Sequence, residues 1–373
     1  MPRWISYARK AVAALYERRK PVSSSSPILQ IVPRLPGTHD GVGDYAQTVA
    51  RKMRELYSRE TLFATPDSAR AHENFAHVIL HYVNYGYQKR GVPFGLLSIV
   101  RKLRRRCPGR LLTIFHELYA SGPPWKSAFW LRPLQVQIAK SISQMSDVCV
   151  VSSNAMLTQL RTLTPDANIC VHPVFSNFGE PWLSADQVAK ASPQRWVICG
   201  GTVLVERSLR SFRGVIDRIP ENSSPRELFV IGGNDNPVTR SLLANLPNIR
   251  TEYHPQITSL EASQILVSCA FAWLDYFHRT DVPMDVVLKS GAFAAACAHA
   301  VIPVFPHGGS AIRIEDDLLS GPYFVDAYRV NLPHDRAKVA SEIYAWYQRH
   351  VSSEHLVRGI ARLLGFETGA LST

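Results

Sequence analysis

Two glycines and two polar side chains in the second half of the chain have the spacing of an anion-binding loop. An apolar stretch that ends at Cys199 is followed by Gly200 and Gly201 and then by a helical pattern. Backbone amides, the Thr202 hydroxyl and the Arg207 guanidinium can meet one phosphate-sized anion at the start of that helix. The same residue types also suit an ordinary turn, and for this loop alone both interpretations stay open.

Two further turns in this half have similar chemistry. Gly232 and Asn234 follow a second apolar stretch, and Lys289, Ser290 and Gly291 precede an Ala-rich helical pattern. At the second place a cation, a hydroxyl and a helix dipole favour the same anion. Each turn alone suits turn chemistry, but three in one domain favour a diphosphate site.

A glycine-bearing loop also opens a helical pattern in the first half. The six residues from Gly41 fit the loose GxGxxA dinucleotide pattern. Eight residues separate the loop from the preceding strand pattern, and Asp44 at the helix start would repel a pyrophosphate, which disfavours a nicotinamide cofactor. Gly41 and Gly43 let the backbone approach a ligand, while Asp44 and Tyr45 either contact an acceptor or only cap and pack the helix.

His116 and Glu117 follow the apolar run from Leu111 to Phe115. A histidine at the end of a strand either positions a substrate or bonds to a neighbouring side chain. In both cases Glu117 can orient it.

Short strand patterns alternate with helical patterns from Pro27 onward, which is typical of a parallel α/β fold. Strands are predicted at 28–32, 77–83, 111–115, 148–151, 196–199, 228–231, 269–274 and 301–305. Helices are predicted at 44–57, 208–219 and 286–299. The alternation stops in a proline-bearing stretch at 173–195, where we place a domain boundary.

The sequence therefore predicts two doubly wound, Rossmann-like domains. The predicted parts are a basic segment and linker at 1–26, domains at 27–180 and 181–334, and a C-terminal helical stretch at 335–373 that packs back on the first domain. Such sheets bind ligands beyond the carboxyl ends of their strands. Two facing domains would then enclose a cleft.

The net charge of +12 is concentrated in two segments. Residues 1–20 hold six Lys or Arg and one Glu, and residues 89–110 hold eight Lys or Arg and no acid. Residues 94–107 have the pattern of a basic amphipathic helix, which suits either an anionic membrane surface or a solvated helix face. Because the basic runs lack interleaved aromatics, we expect no nucleic-acid partner.

Length and composition exclude several classes of protein. The 373 residues are 46% hydrophobic and 19% charged, as in soluble two-domain proteins. Six cysteines lie at least 21 residues apart with no CxxC pair, which predicts reduced thiols and no zinc site. With no apolar run long enough to span a bilayer, we expect a cytoplasmic protein, peripheral at most on the inner membrane face.

The motifs together resemble the retaining GT-B glycosyltransferases of the family four group. The resemblance runs in order through residues 27–350. Its motifs are Gly41-Val-Gly-Asp-Tyr-Ala46, Phe115-His-Glu117, Pro173-Val-Phe-Ser-Asn177, Gly201-Thr202 with Arg207, and Lys289-Ser-Gly291 followed by Ala298-His-Ala-Val-Ile-Pro-Val304.

This resemblance implies a nucleotide-sugar donor held mainly by the second domain and an acceptor held mainly by the first, with no metal and no cofactor. Gly41 and Gly43 would approach the donor, together with Gly201, Thr202, Gly232, Asn234, Ser290 and Gly291. His116 would contact the transferred sugar, and Arg207 and Lys289 would neutralise the diphosphate. Asp44, Tyr45 and Glu117 are the acceptor-side candidates.

One family feature is missing. The family usually carries a Glu-x7-Glu motif whose second Glu binds the donor ribose, but the region of Ala294 and Ala295 has no carboxylate, and Asp285 is the nearest substitute. Two hypotheses follow. The protein is a metal-independent retaining transferase for a lipid-linked or polysaccharide acceptor, or it is a catalytically decayed GT-B scaffold that acts as a binding protein.

Overall fold

A computed structural model describes residues 26–37, 41–120, 125–277 and 282–366. The chain forms two compact units. The first takes the described residues of 1–151, 156–171 and 357–373, and the second takes 152–155 and 172–356. The predicted basic segment at 1–20 lies outside the described residues. The facing arrangement of the two units and the predicted domain boundaries stay predictions.

The first unit is built on a six-stranded parallel sheet. Its strands are β1 Ile28–Ile31, β2 Thr61–Ala64, β3 His77–Tyr82, β4 Leu111–Phe115, β5 Val148–Val151 and β6 Ile169–Val171, in the order β2-β1-β3-β4-β5-β6. Its helices are α1 Gly41–Tyr57, the single turn α2 Asn84–Tyr87, α3 Phe94–Arg106, α4 Ser127–Met145 and α5 Asn154–Leu163. β3 and β4 are buried along their whole length, as expected for central parallel strands covered on both faces.

The predicted basic helix at 94–107 is confirmed as α3. Leu96, Ile99 and Leu103 are buried on one face, because apolar residues at helical spacing pack against the sheet. Some of its basic side chains form bonds within the protein. Arg104 Nη2 lies 2.8 Å from Asp147 Oδ1, and Arg106 donates to backbone carbonyls outside the helix.

The second unit contains a seven-stranded sheet in the order β15-β14-β11-β10-β7-β8-β9, parallel except for the β14–β15 pair. Its strands are β7 Ser192–Cys199, β8 Glu227–Ile231, β9 Arg250–His254, β10 Cys269–Trp273, β11 Ile302–Phe305, β14 Tyr323–Val325 and β15 Val330–Asn331, with a separate hairpin of β12 Arg313–Ile314 and β13 Asp317–Leu318. Its helices are α6 Ala185–Lys190, α7 Thr202–Arg213, α8 Pro237–Ala244, α9 Ser259–Ser268, α10 Gly291–Ala298 and α11 Arg336–His350.

The last helix, α12 Ser353–Leu364, carries the chain from the second unit into the first. Val357, Ile360 and Ala361 are buried. At its end, a guanidinium nitrogen of Arg110 donates to the Leu363 carbonyl, and the Phe366 ring lies 5.2 Å from the His77 ring. These residues therefore belong to the packing of the first unit.

Two helix predictions in the second unit are wrong in their bounds. The helix predicted at 208–219 is α7, which begins six residues earlier at Thr202 and ends at Arg213. The helix predicted at 286–299 is divided into a 3-10 turn, Met284–Lys289, and α10, because the Ser290 hydroxyl caps a new helix by accepting a hydrogen bond from Phe293 N at 3.3 Å.

Candidate functional site

The loops that follow β7 and β8 interlock at the carboxyl edge of the second unit's sheet. Gly200 N donates to the Ile231 carbonyl at 3.1 Å, and Gly232 N donates to the His254 carbonyl at 2.9 Å. Gly200 and Gly232 have φ of +138° and +87°, which favour glycine. A Cβ on Gly232 would lie 2.6 Å from the Gly200 carbonyl oxygen, so the two backbones touch.

Thr202 joins the same two loops through its side chain. Asn234 N donates to Thr202 Oγ1 at 2.8 Å, and a Cβ on Gly233 would lie 3.2 Å from Thr202 Cα. Gly201 precedes α7 and has no side chain to cap it, so the first amides of the helix are available to an anion. The structure thus brings together four predicted donor residues, namely Gly201, Thr202, Gly232 and Asn234.

Arg207 lies within α7 and reaches the end of β10. Its Nε donates to the Asp275 carbonyl at 2.6 Å and lies 3.5 Å from the Asp275 carboxylate. The Asp275 amide donates in turn to Ser208 Oγ at 3.1 Å. Because β10 is the neighbour of β7, these bonds hold Arg207 at the edge of the sheet that carries the glycine loops. Its action on a diphosphate stays a prediction.

Lys289, Ser290 and Gly291 lie where the 3-10 turn meets α10. Lys289 is exposed, whereas Ser290 is buried and its hydroxyl is used in the helix cap. A Cβ on Gly291 would have no atom within 4 Å, so this glycine is not required by packing. Donor binding by these three residues stays a prediction.

A depression of about 620 Å³ lies beside the glycine loops and was not predicted from the sequence. It is lined by the end of β9, by the loop that follows and by α9, including Tyr253, His254, Gln256 and Gln264. Tyr253 Oη donates to the Asn234 carbonyl at 2.9 Å, which ties this loop to the one after β8. The sequence signals for this place are its position after a third parallel strand, Pro255, and the capping box of Thr258 and Glu261 at the start of α9.

In the first unit, His116 directly follows β4 and belongs to a chain of hydrogen-bonded polar side chains. His116 Nε2 lies 3.2 Å from His81 Nδ1, and His81 Nε2 lies 2.6 Å from Gln30 Oε1. Gln30 Nε2 donates to the Ala46 carbonyl of α1 at 3.2 Å. The Tyr45 ring stands edge-on to the His116 ring with centroids 4.9 Å apart. Gln30 and His81 were missed by the sequence analysis.

Burial keeps both histidines uncharged at neutral pH. It lowers the pKa of His116 to about 4. Burial, together with the neighbouring His116, lowers the pKa of His81 well below its ordinary value. These residues therefore offer hydrogen-bonding nitrogens rather than positive charge.

The helix predicted at 44–57 begins three residues earlier, since α1 starts at Gly41 and carries Asp44 in its first turn. Gly43 is buried, whereas Gly41 and Asp44 are exposed. Tyr45 is only 3% exposed and packs in the core, and its contact with an acceptor stays a prediction. Contacts of Gly41, Gly43 and Asp44 with a ligand stay predictions. Glu117 is also exposed, and its role in acceptor binding stays a prediction.

The region in which the resembled family carries a carboxylate is buried in this chain. Ala294 and Ala295 are at most 1% exposed, so a carboxylate at either position would have to bury its charge. Asp285 lies nearby in sequence on the 3-10 turn, and burial raises its pKa. Its Oδ1 has no hydrogen-bond partner among the described residues.

Two further findings concern metals and membranes. Within residues 26–37, 41–120, 125–277 and 282–366, no group of three or more His, Cys, Asp or Glu could hold a metal ion. In the same part of the chain, no helix is both long and apolar enough to cross a bilayer. All six cysteines are free thiols, five of them buried.

No family model and no curated protein matches the chain in sequence. Solved structures do match its fold. One is an alpha-glucosyltransferase in complex with UDP and a 13-mer DNA containing a HMU base, with a TM-score of 0.59, 11% identity and coverage of 91% of this chain and 99% of that one. Another is an alpha-glucosyltransferase in complex with UDP, with a TM-score of 0.60, 10% identity and coverage of 90% and 98%.

The expectation that nucleic acid is not a partner is wrong. Besides the DNA complex above, an alpha-glucosyltransferase bound to UDP-glucose and to DNA with an abasic site has the same fold, with a TM-score of 0.59 and 10% identity over 90% of this chain and 98% of that one. The expectation considered aromatics only within the basic runs. The structure exposes Trp125 and Trp130 outside those runs, at 83% and 71%, beside the exposed cation Arg132.

The predicted fold class is confirmed at the level of each unit. Both units are α/β with parallel, Rossmann-like sheets, and the structural neighbours that span nearly the whole chain are GT-B glycosyltransferases. Membership in family four and retention of configuration stay predictions. The chain thus has the fold of GT-B glycosyltransferases.

Proposed function

We propose that the protein transfers a sugar from a nucleoside diphosphate donor, with a UDP-sugar as the first candidate. The observation that carries this proposal is the interlocked pair of glycine loops after β7 and β8, beside the free amides of α7. Such amides bind phosphate groups. The neighbours that hold UDP or UDP-glucose have the same fold, which supports the choice of nucleotide. The depression at Tyr253 and Gln256 would take the nucleoside.

The reaction breaks the bond between the anomeric carbon and the diphosphate oxygen and forms a bond from that carbon to an acceptor hydroxyl oxygen. Negative charge grows on the leaving diphosphate as the bond breaks. Fixed amide dipoles and the cations Arg207 and Lys289 would stabilise that charge more in the transition state than in the bound donor. His116 would hold the transferred sugar in place.

We further propose that configuration is retained and that no metal takes part. In this mechanism the acceptor attacks on the face that the diphosphate leaves, and the leaving phosphate oxygen takes the acceptor proton. No protein carboxylate is then needed as a base. Burial disfavours the charged form of both His116 and His81, which agrees with a mechanism that needs no charged protein base at this place.

Two classes of molecule are candidates for the acceptor of the sugar. The resemblance to family four favours a lipid-linked glycan or a polysaccharide, and the neighbours with DNA favour a nucleic acid. Exposed Trp125 and Trp130 would stack on bases, since stacking on aromatic side chains is a general mode of nucleic-acid binding.

The experiment measures UDP release and sugar transfer with a panel of UDP-, GDP- and ADP-sugars. Its acceptors are undecaprenyl-linked glycan, polysaccharide, and DNA with and without hydroxymethylated bases. Replacing Arg207 or Lys289 with Ala should lower turnover more than tenfold while thermal stability is kept, with exposed Lys190→Ala as the control. Normal turnover in both variants would contradict their assignment.

A second candidate function rests on the buried Ala294 and Ala295, which leave no room for the family carboxylate. In this case the protein is a decayed scaffold that binds a partner without catalysis. Calorimetry with UDP, GDP and ADP separates the two functions. Binding of a nucleotide with turnover supports the transferase, and the absence of both supports the scaffold.

A further inference from the structure

Gln30, His81 and His116 form a buried line of side chains across three neighbouring strands. Gln30 and His81 are completely buried, on β1 and β3, and His116 follows β4 and is partly buried. The His81 and His116 rings are nearly parallel, with an interplanar angle of 18°. Because each side chain bonds to the next, the proton on one ring decides where the proton on the other must be.

The line is fixed at one end by the backbone. The Ala46 carbonyl can only accept a hydrogen bond, so the Gln30 amide group must face it with its NH2. Gln30 Oε1 then faces His81 and must accept from His81 Nε2–H at 2.6 Å. A neutral imidazole carries one proton, so His81 Nδ1 holds a lone pair.

That lone pair decides the state of His116. His81 Nδ1 lies 3.2 Å from His116 Nε2 and must accept its proton. His116 is neutral as well, so its Nδ1 holds a lone pair. None of the described residues forms a hydrogen bond to this Nδ1.

We propose that Gln30 and His81 are positioning residues that hold His116 as the Nε2–H tautomer, so that its Nδ1 accepts a hydrogen bond from a hydroxyl group of the substrate. The ligand class is therefore a hydroxyl donor, such as a sugar hydroxyl, and not a phosphate or a carbonyl. The proposal deepens the proposed function and rests on it for the identity of the substrate. The tautomer itself does not depend on that function.

The surroundings leave this arrangement undisturbed at neutral pH. The groups that face the pair are the Tyr45 ring, 4.9 Å from His116 and 5.9 Å from His81 between centroids, and the exposed Glu117 next to His116 in the chain. Burial raises the pKa of Tyr45, so its phenol is uncharged. Burial also disfavours the charged form of both histidines.

The test is a long-range proton–nitrogen NMR spectrum of the full chain at neutral pH, without ligand. His116 is assigned by comparison with His116→Gln. The expected spectrum shows a protonated Nε2 and an unprotonated Nδ1 for His116. His299 is an internal reference of the opposite kind, because its Nδ1 donates to the Ala295 carbonyl at 2.7 Å. A His116 signal of the same type as that of His299 would overturn the proposal.

Gln30→Met removes the acceptor from His81 Nε2 while nearly keeping side-chain volume. His81 should then place its proton on Nδ1 and donate to His116 Nε2, which moves the His116 proton to Nδ1. The matched control is Thr113→Val, which removes the hydrogen bond between the buried Thr113 of β4 and Ser146 without touching the line. The proposal fails if Gln30→Met folds and leaves the His116 tautomer unchanged, and the wild-type spectrum decides if the variant does not fold.

Activity gives an independent readout. With the transferase active, Gln30→Met should lower kcat/KM about tenfold, the size of one lost hydrogen bond to the substrate, whereas Thr113→Val should not. If no sugar is transferred by the wild-type protein but the tautomer is as stated, the proposed function fails and the positioning of His116 stands. If transfer occurs and the tautomer is the other one, the positioning fails alone.

Discussion

Two substitutions, Gly232→Ala and Gly201→Ala, test separately how the glycine loops contribute to stability and to nucleotide binding. At Gly232 the new methyl would lie 2.6 Å from the Gly200 carbonyl oxygen, in a backbone with φ of +87°. Positive φ costs an Ala residue about 1–2 kcal/mol. Relief of the contact would strain the bonds from Gly200 N and Gly232 N, each worth about 1 kcal/mol. We therefore expect a loss of about 2–4 kcal/mol in the free energy of unfolding.

Gly201→Ala is the matched comparison. Gly201 has φ of −70° and no atom within 4 Å of a built Cβ, so packing and backbone allow the methyl. The expected change in stability is within about 1 kcal/mol, because Ala is a poorer N-cap residue than Gly but lowers the entropy of the unfolded chain. If a diphosphate approaches this backbone, the methyl should block it and weaken UDP binding at least tenfold, that is by about 1.4 kcal/mol.

Urea unfolding followed by the fluorescence of the buried Trp196 and Trp273, both in the second unit, measures the first effect. Calorimetry with UDP measures the second. Equal stability of the Gly232 variant and the wild-type protein would refute the packing argument. Unchanged UDP affinity of the Gly201 variant would refute its assignment to the donor site.

Two predictions concern stability. Burial lowers the pKa of His299 from 6.5 to about 4, so unfolding takes up a proton between those values. At about 1.4 kcal/mol per pKa unit, about 3 kcal/mol present above pH 6.5 is lost as the pH falls towards 4. Urea unfolding at pH 6.5 and pH 4 should show a smaller loss in the free energy of unfolding for His299→Gln than for the exposed control His334→Gln. Equal losses in the two variants would contradict the assignment to His299. Tyr347→Phe removes the hydroxyl that donates to Glu180 at 2.6 Å and accepts from Ser176 N at 2.9 Å. Thermal and urea unfolding should show a loss of about 1–3 kcal/mol, and a change within error would show that the network adds nothing.

The strands were predictable because buried parallel strands are continuous apolar runs, as in Leu111–Phe115 and Val148–Val151. The start of α7 was missed because its buried face includes the small polar Ser208, which weakens the apolar periodicity, and because two glycines precede it. The division before α10 follows from Ser290, whose capping role depends on a local hydrogen bond.

The residues of the candidate site also fall into those that the sequence predicted and those that it did not. Gly201, Thr202, Gly232 and Asn234 were found because short motifs follow strands, and neighbouring parallel strands bring their loops together. The partnership of Gln30 with His81 spans 51 positions. In a strand that is covered on both faces, no periodicity shows that a Gln is paired.

The return of residues 357–366 to the first unit has a consequence for synthesis on the ribosome. The bond from Arg110 to the Leu363 carbonyl and the contact between His77 and Phe366 join early and late parts of the chain. The second unit lies almost entirely within the uninterrupted span 172–356 and can close as soon as that span has emerged. The amino-terminal half must wait, with part of its apolar surface uncovered, until translation has passed Phe366.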